Sequence, residues 1–201
     1  MHGGIHMNAF DKVIGYEVIK QELFQICDMI HNPDIYKELG AKTPKGILLH
    51  GDPGLGKTLM AKCFIEESGL TSFVLRRNKG TEDFVQEITD TFLQAKENAP
   101  SIIFLDDLDK FANEDDNHRD AQEYVAIQTG IDDVKEAEVF VIATVNNIRK
   151  LPISLVRVGR FDRKIEVDRP SDKDSRDIIK HFLENKKISE EIDMDDIARM
   201  I

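Results

Sequence analysis

Gly51-Asp52-Pro53-Gly54-Leu55-Gly56-Lys57-Thr58 stands between a short apolar run, residues 46–50, and a stretch with helical spacing, residues 57–68. The octapeptide fits G-x-x-x-x-G-K-[ST], a strand–loop–helix turn whose backbone N–H groups wrap phosphate. Glycine is needed there so that those groups converge without interference from a Cβ. Lys57 would reach the β- and γ-phosphates and Thr58 would ligate Mg²⁺, while the following helix adds the partial positive charge of its N-terminus. A glycine-rich turn with no ligand is the bland alternative. The strand before it and the helix after it argue for phosphate, and the expected cradle comprises Asp52, Pro53, Gly54, Leu55, Gly56, Lys57, Thr58 and Leu59. Asp52 is unusual in this place, since its charge opposes phosphate unless the side chain points outward.

Outward from the loop, apolar runs alternate with helical periodicity. Helices are predicted over residues 16–32 (stopped by Pro33), 57–68 (stopped by Gly69), 82–98 and 119–131. Strands are predicted over residues 46–50, 72–75, 101–105, 139–143 and 164–167. The run 101–105 is apolar at nearly every position, as a central parallel strand requires. Five strands separated by helices call for an α/β fold with a parallel sheet covered on both faces. After Pro170 two helical stretches, 174–185 and 194–201, have no strand between them, and residues 111–120 read as a mobile acidic loop. The expected organisation is a leader over 1–8, a nucleotide-binding core over 9–170 and an unfinished helical lid over 171–201.

The chain has 201 residues, enough for one generous domain, and 27 basic against 38 acidic residues give a formal charge of −11. That balance disfavours nucleic acid, whose phosphates demand surplus Lys and Arg. No run approaches the ~18 apolar residues of a membrane span, so no membrane contact is expected of these residues. Two cysteines, Cys27 and Cys63, suit a reducing, cytoplasmic setting, with an anchor upstream left open.

A second motif, Ile102-Ile-Phe-Leu-Asp106-Asp107, ends a hydrophobic strand in acids. It places a carboxylate at the carboxyl edge of the sheet, where open α/β folds bind ligands. Asp106 would hold Mg²⁺ there; a solvated acidic turn is the alternative reading.

With these motifs the sequence resembles the AAA ATPases, within the P-loop NTPase class and the AAA+ superfamily. It is most similar to the subgroup that includes membrane-anchored AAA proteases and proteasomal ATPases. The likeness runs from Phe10 to the C-terminus. It is carried by Phe10-Asp-Lys-Val-Ile-Gly15, Thr43-Pro-Lys-Gly, Gln94-Ala-Lys-Glu-Asn-Ala-Pro100, Ala143-Thr-Val-Asn146-Asn147 and Leu155-Val-Arg157-Val-Gly-Arg160-Phe-Asp-Arg163. The resemblance implies ATP/ADP and Mg²⁺ as ligands, with adenine lying against the backbone at Ile14 and Gly15. It implies a homo-oligomeric ring, hexameric in the family, acting on a protein substrate. It further implies that Asn146 positions the attacking water or senses the γ-phosphate, and that Arg160 and Arg163 reach a neighbouring subunit's nucleotide as fingers. Arg157 is expected to be a structural pair partner.

Three departures bear on function. Asp107 stands where the family has the glutamate that polarises water; one methylene fewer retracts the carboxylate by about 1.5 Å, and general-base geometry is sensitive on that scale. Slow hydrolysis is the expectation. The segment Arg76-Arg-Asn-Lys-Gly80 lacks the aromatic–hydrophobic–Gly triplet that grips polypeptide; Phe84 is either its substitute or a core residue. The lid ends before a second sensor, and His181 is either near adenine or an exposed helical histidine. Three functions remain open on this reading: a protein-remodelling motor, a nucleotide-dependent assembly switch with little turnover, and the ATPase part of a protease whose catalytic domain lies elsewhere. No H-E-x-x-H occurs in the chain.

Overall fold

The structure is a computed structural model that describes residues 8–78, 80–112, 121–157 and 159–183. Five parallel strands, β1 (Gly46–His50), β2 (Thr71–Leu75), β3 (Ser101–Leu105), β4 (Val139–Val145) and β5 (Arg163–Glu166), form one sheet in the order β2-β3-β4-β1-β5. Helices α1 (Glu17–His31), α2 (Pro33–Glu38), α3 (Lys57–Ser68), α4 (Thr81–Glu97), α5 (Ala121–Asp133) and α6 (Asp172–Leu183) complete it. The expected α/β sheet between helices is therefore present, with strand limits within two residues of those predicted.

Successive strand residues point to opposite faces, so each central strand feeds two cores. Leu48, Ile103, Leu105, Val141 and Ala143 face α4 and α5, where Phe84, Ile88 and Phe92 pack. Ile47, Leu49, Ile102, Phe104 and Ile142 face α3 and α1, where Met60, Phe64, Leu23 and Cys27 pack. This two-sided demand explains why β3 is buried at every position and reads as an unbroken apolar run.

Phe84 is fully buried and meets the ring of Phe111 edge-on, with centroids 5.1 Å apart. Phe84 is thus a core residue and does not substitute for the missing aromatic grip. Phe111 and Ala112 are themselves buried, which corrects the expectation of a mobile loop beginning at Phe111; residues 113–120 lie outside the described residues. Pro33 does end α1, but it also opens α2 from the first-turn position where its missing N–H costs nothing. Ser171 caps α6, its hydroxyl accepting the Asp174 N–H at 3.2 Å. The helix predicted at 194–201 and the leader at 1–7 lie outside the described residues. Among the described residues no helix is long and apolar enough to cross a membrane.

Both cysteines are buried. Burial, with a smaller contribution from the charge of Glu67, pushes the Cys27 thiol up to about 12, and burial also raises Cys63. Thiolate is the reactive form. Labelling with a chromogenic aromatic disulfide at pH 8 is therefore expected to run roughly a thousandfold slower at Cys27 in the folded chain than in denaturant. Fast labelling of native Cys27, read from released thiol absorbance, would contradict the packing of α1 on α3.

Candidate functional site

The carboxyl ends of β1, β3 and β4 lie side by side, and the loop after β1 delivers the phosphate motif to that edge. Gly54 and Gly56 adopt φ of +85° and +86° with open space where a Cβ would be, which turns the loop back over the start of α3. Gly51 has a different reason. At φ +145° its absent Cβ leaves room for the Val167 carbonyl, which would otherwise lie 2.1 Å away. Its small size serves the packing of the loop's first residue on the chain after β5.

Lys57 is 5% exposed at the first position of α3. Its ammonium donates to the carbonyls of Gly51 and Asp52 at 2.7 and 2.6 Å. Burial lowers its pKa, while the negative fields of Asp107, Asp109 and Asp52 oppose that shift. The Asp52 side chain is exposed, and its charge is felt at Lys57. Pro53 and Gly54 are exposed on the loop and Leu59 on the first turn of α3, while Leu55 is half-buried against the α3 core.

Asp106 is 4% exposed at the end of β3. Its Oδ1 accepts hydroxyl hydrogen bonds from Thr58 at 2.9 Å and Thr144 at 2.8 Å. Thr144 also accepts the Asp107 N–H at 2.9 Å, so one buried threonine on β4 fixes both acids. Asp107 sits at φ 55°, ψ 49°, a left-handed conformation uncommon outside glycine and a feature of strained functional positions. Its Oδ1 accepts the Asn146 amide at 3.3 Å and its Oδ2 the Lys110 ammonium at 2.7 Å. Burial works against ionisation of Asp107, but Lys110, Arg76 and Asn146 outweigh it and hold the carboxyl below its ordinary value. Asp109 in turn accepts the backbone N–H groups of Asn146 and Asn147 at 3.3 and 3.2 Å, which orients Asn146 toward Asp107.

The structure thus brings Thr58, Asp106, Asp107 and Asn146 together beside Lys57. Thr144, Asp109, Lys110 and Arg76 were not singled out as site residues from sequence. Thr144 did leave a signal, as the one hydroxyl within the apolar run of β4. The donor chemistry suits Mg²⁺: a hydroxyl and a carboxylate are hard oxygen ligands, adjacent here at the N-terminus of α3, and this ion is commonly held by few protein groups plus phosphate.

Ile14 and Gly15 precede α1, and a Cβ on Gly15 would meet Asp174 of α6 at 2.6 Å. A cleft of about 360 Å³ opens beside them, lined by Tyr16, Ile19, Glu166, Asp168, Pro170 and Asp174. His181 is exposed on α6 and packs edge-on against Phe182, matching the exposed helical reading.

The two finger candidates lie at the other end of the sheet. Arg163 pairs in register with Ile47 at the start of β1, the end remote from the chain's own phosphate loop. Its side chain is 55% exposed and is bound to Glu22. Arg160 is turned inward: it is 3% exposed, with Nε and Nη2 on the two carboxylate oxygens of Asp132 at 3.1 and 2.6 Å and Nη1 on the Ser154 carbonyl. Asp132 is held mainly by Arg160, with smaller contributions from the charges of Lys135 and Arg157, and in the single chain Arg160 does not project outward.

Comparison with protein families places residues 47–169 in a match to the model described as ATPase family associated with various cellular activities (AAA). The chain belongs to this family. As an AAA ATPase module it binds nucleotide. It is 34% identical over 204 residues to the ATP-dependent zinc metalloprotease FtsH of Halothermothrix orenii, covering 95% of this chain and 32% of that protein. It is 36% identical to FtsH 3 of Synechocystis sp., covering 95% of this chain and 33% of the relative. The chloroplastic FTSH 2 of Arabidopsis thaliana is 34% identical, with 94% of this chain and 29% of the relative covered. The AAA chain spans about a third of the length of these curated relatives.

Proposed function

We propose that this AAA chain is the ATP-hydrolysing module of an oligomeric, protein-remodelling ATPase in which hydrolysis is slow. The observation that carries the reading is the convergence of Thr58 and Thr144 on Asp106, with Asp107 and Asn146 held alongside. Lys57 and the N–H groups of residues 54–59 hold the β- and γ-phosphates. Mg²⁺, when bound, would be held by Thr58 and Asp106 and would neutralise charge on the phosphate oxygens. Asp107 takes a proton from the attacking water, and Asn146 orients that water and Asp107 together. The cleft beside Ile14 and Gly15 receives the adenine, and residues 171–183 form the start of a lid over it.

Arg163 opens β5 and Arg160 just precedes it, at the end of the sheet remote from the chain's own phosphate loop, so in this reading their cations act on a neighbouring copy's nucleotide. Arg163 is already exposed for that role, whereas Arg160 must first leave Asp132. An arginine supplied in this way is worth ~10³–10⁵ in rate for finger arginines generally.

A switch with little turnover is the second reading. It is favoured by the short reach of Asp107 and by the two cations that hold it. The ATPase part of a protease, as the printed names of the relatives put it for them, is the third, and the flanking sequence of the gene decides it. For the first two, steady-state turnover is measured against chain concentration. A motor gives turnover that climbs steeply with assembly; a switch assembles with nucleotide and stays slow. In the assembled protein Asp107→Glu is expected to raise turnover about tenfold or more by restoring the missing reach. A clear loss of turnover in that variant would sink the idea that Asp107 is an impaired base.

A further inference from the structure

The connection from β2 to α4 begins with two arginines, of which Arg77 reaches inward and Arg76 lies at the surface. Arg77 donates to the Lys110 carbonyl at 3.2 Å and pairs with Glu123, a buried acid of α5, at 3.0 Å. With the connection tied down in this way, Arg76 is held over the two acids at the end of β3. Its Nε lies 3.7 Å from Asp106 Oδ2 and its Nη2 lies 3.6 Å from Asp107 Oδ2. The division of labour on Asp106 is clear: Oδ1 takes both threonine hydroxyls, and Oδ2 faces the guanidinium. Arg76 itself is 64% exposed, so it is free to move, and the pair is of the weak, solvent-screened kind.

We propose that Arg76 is a built-in counter-cation of the phosphate site, neutralising Asp106 and Asp107 in place of the divalent metal and yielding Asp106 when the metal arrives. The proposal rests on the phosphate-site reading above and adds to it a control on metal loading. Without Arg76, two adjacent carboxylates would face a polyphosphate with Lys57 and Lys110, among the described residues, to offset them. Metal-free nucleotide would then bind worse. With Arg76 present, the ion must compete with a guanidinium for one oxygen of Asp106, so the metal-loaded complex is held back.

The two effects have opposite sign, and that distinguishes charge substitution from a structural role. The test titrates a fluorescent non-hydrolysable ATP analogue, mant-AMPPNP, onto the chain with excess EDTA and with excess Mg²⁺. Separately, Mn²⁺ binding to the analogue-loaded chain is followed by electron paramagnetic resonance. Exposed pairs of this length shift equilibria by up to about fivefold. Arg76→Ala is therefore expected to weaken metal-free binding about three- to fivefold and to tighten Mn²⁺ binding by a similar factor. Arg76→Lys keeps the charge and is expected to stay within about twofold of the parent.

If Arg76→Ala leaves both affinities unchanged, or weakens both, the proposal is overturned while the site reading stands. If the unmodified chain binds no analogue under either condition, the site reading falls and the proposal falls with it.

Discussion

Lys57→Ala is expected to lower ATP turnover at least a hundredfold, and to weaken binding of a fluorescent ATP analogue by more than tenfold. Removing one preorganised donor to developing charge typically costs ~10²–10³ in rate. Lys57 is such a donor: it is buried at the first turn of α3 and already aimed along the loop by the Gly51 and Asp52 carbonyls. Gly51 is half-buried and Asp52 exposed, so water is expected to replace the ammonium at their carbonyls, and the fold should survive. Thermal unfolding by circular dichroism is the control. A variant that melts near the parent but has lost nucleotide confirms the role, whereas one that retains tight Mg²⁺-dependent binding shows that Lys57 does not contact phosphate.

Gly51→Ala is expected to act by the opposite route, through stability. The new methyl would stand 2.1 Å from the Val167 carbonyl oxygen, and backbone cannot swing aside as a side-chain tip does. A left-handed φ forced on an L-residue adds ~1–2 kcal/mol, and overpacking adds ~1–3 kcal/mol. A total near 4 kcal/mol corresponds to a fall in melting temperature of about 8–16 °C for a chain of this size. The same substitution at Gly54 meets open space and pays only for its φ, so the melting temperature of Gly54→Ala should fall far less. Equal losses at the two glycines would contradict the tight approach of the loop to residue 167.

The contrast shows where sequence reading of this chain succeeds and stops. The strands at 46–50 and 101–105 are legible because burial on both faces forces an unbroken apolar run, and the loop at 51–58 is legible because phosphate chemistry restricts its residue types. That the first glycine serves Val167 rather than phosphate is not legible, since the constraint comes from a residue more than a hundred positions away. Helix α2 escapes detection for a related reason: none of its residues is buried, so it carries no periodic apolar mark. Arg160 and Asp132 are separated by 28 residues, and no local pattern says that this arginine, rather than Arg157, turns inward. Arg76 is the extreme case. Read as part of a segment that lacks an aromatic grip, it is defined by an absence; only the juxtaposition of β2 and β3 puts it over Asp106 and Asp107.

The strand order has a consequence for how the molecule comes off the ribosome. Gly46 of β1 pairs with Val141 of β4, which is synthesised 95 residues later, or roughly 5–20 s later at ordinary rates of translation. The phosphate loop therefore leaves the exit tunnel attached to a strand with neither of its neighbours, since β5 comes later still. During that interval Ile47, Leu48 and Leu49 form an unpaired apolar edge, a sticky state for a nascent chain. ATP cannot help at this stage, because Asp106 and Thr144 have not yet been brought to Thr58. A chaperone that shields the segment from β1 to the start of β4 would act before nucleotide does.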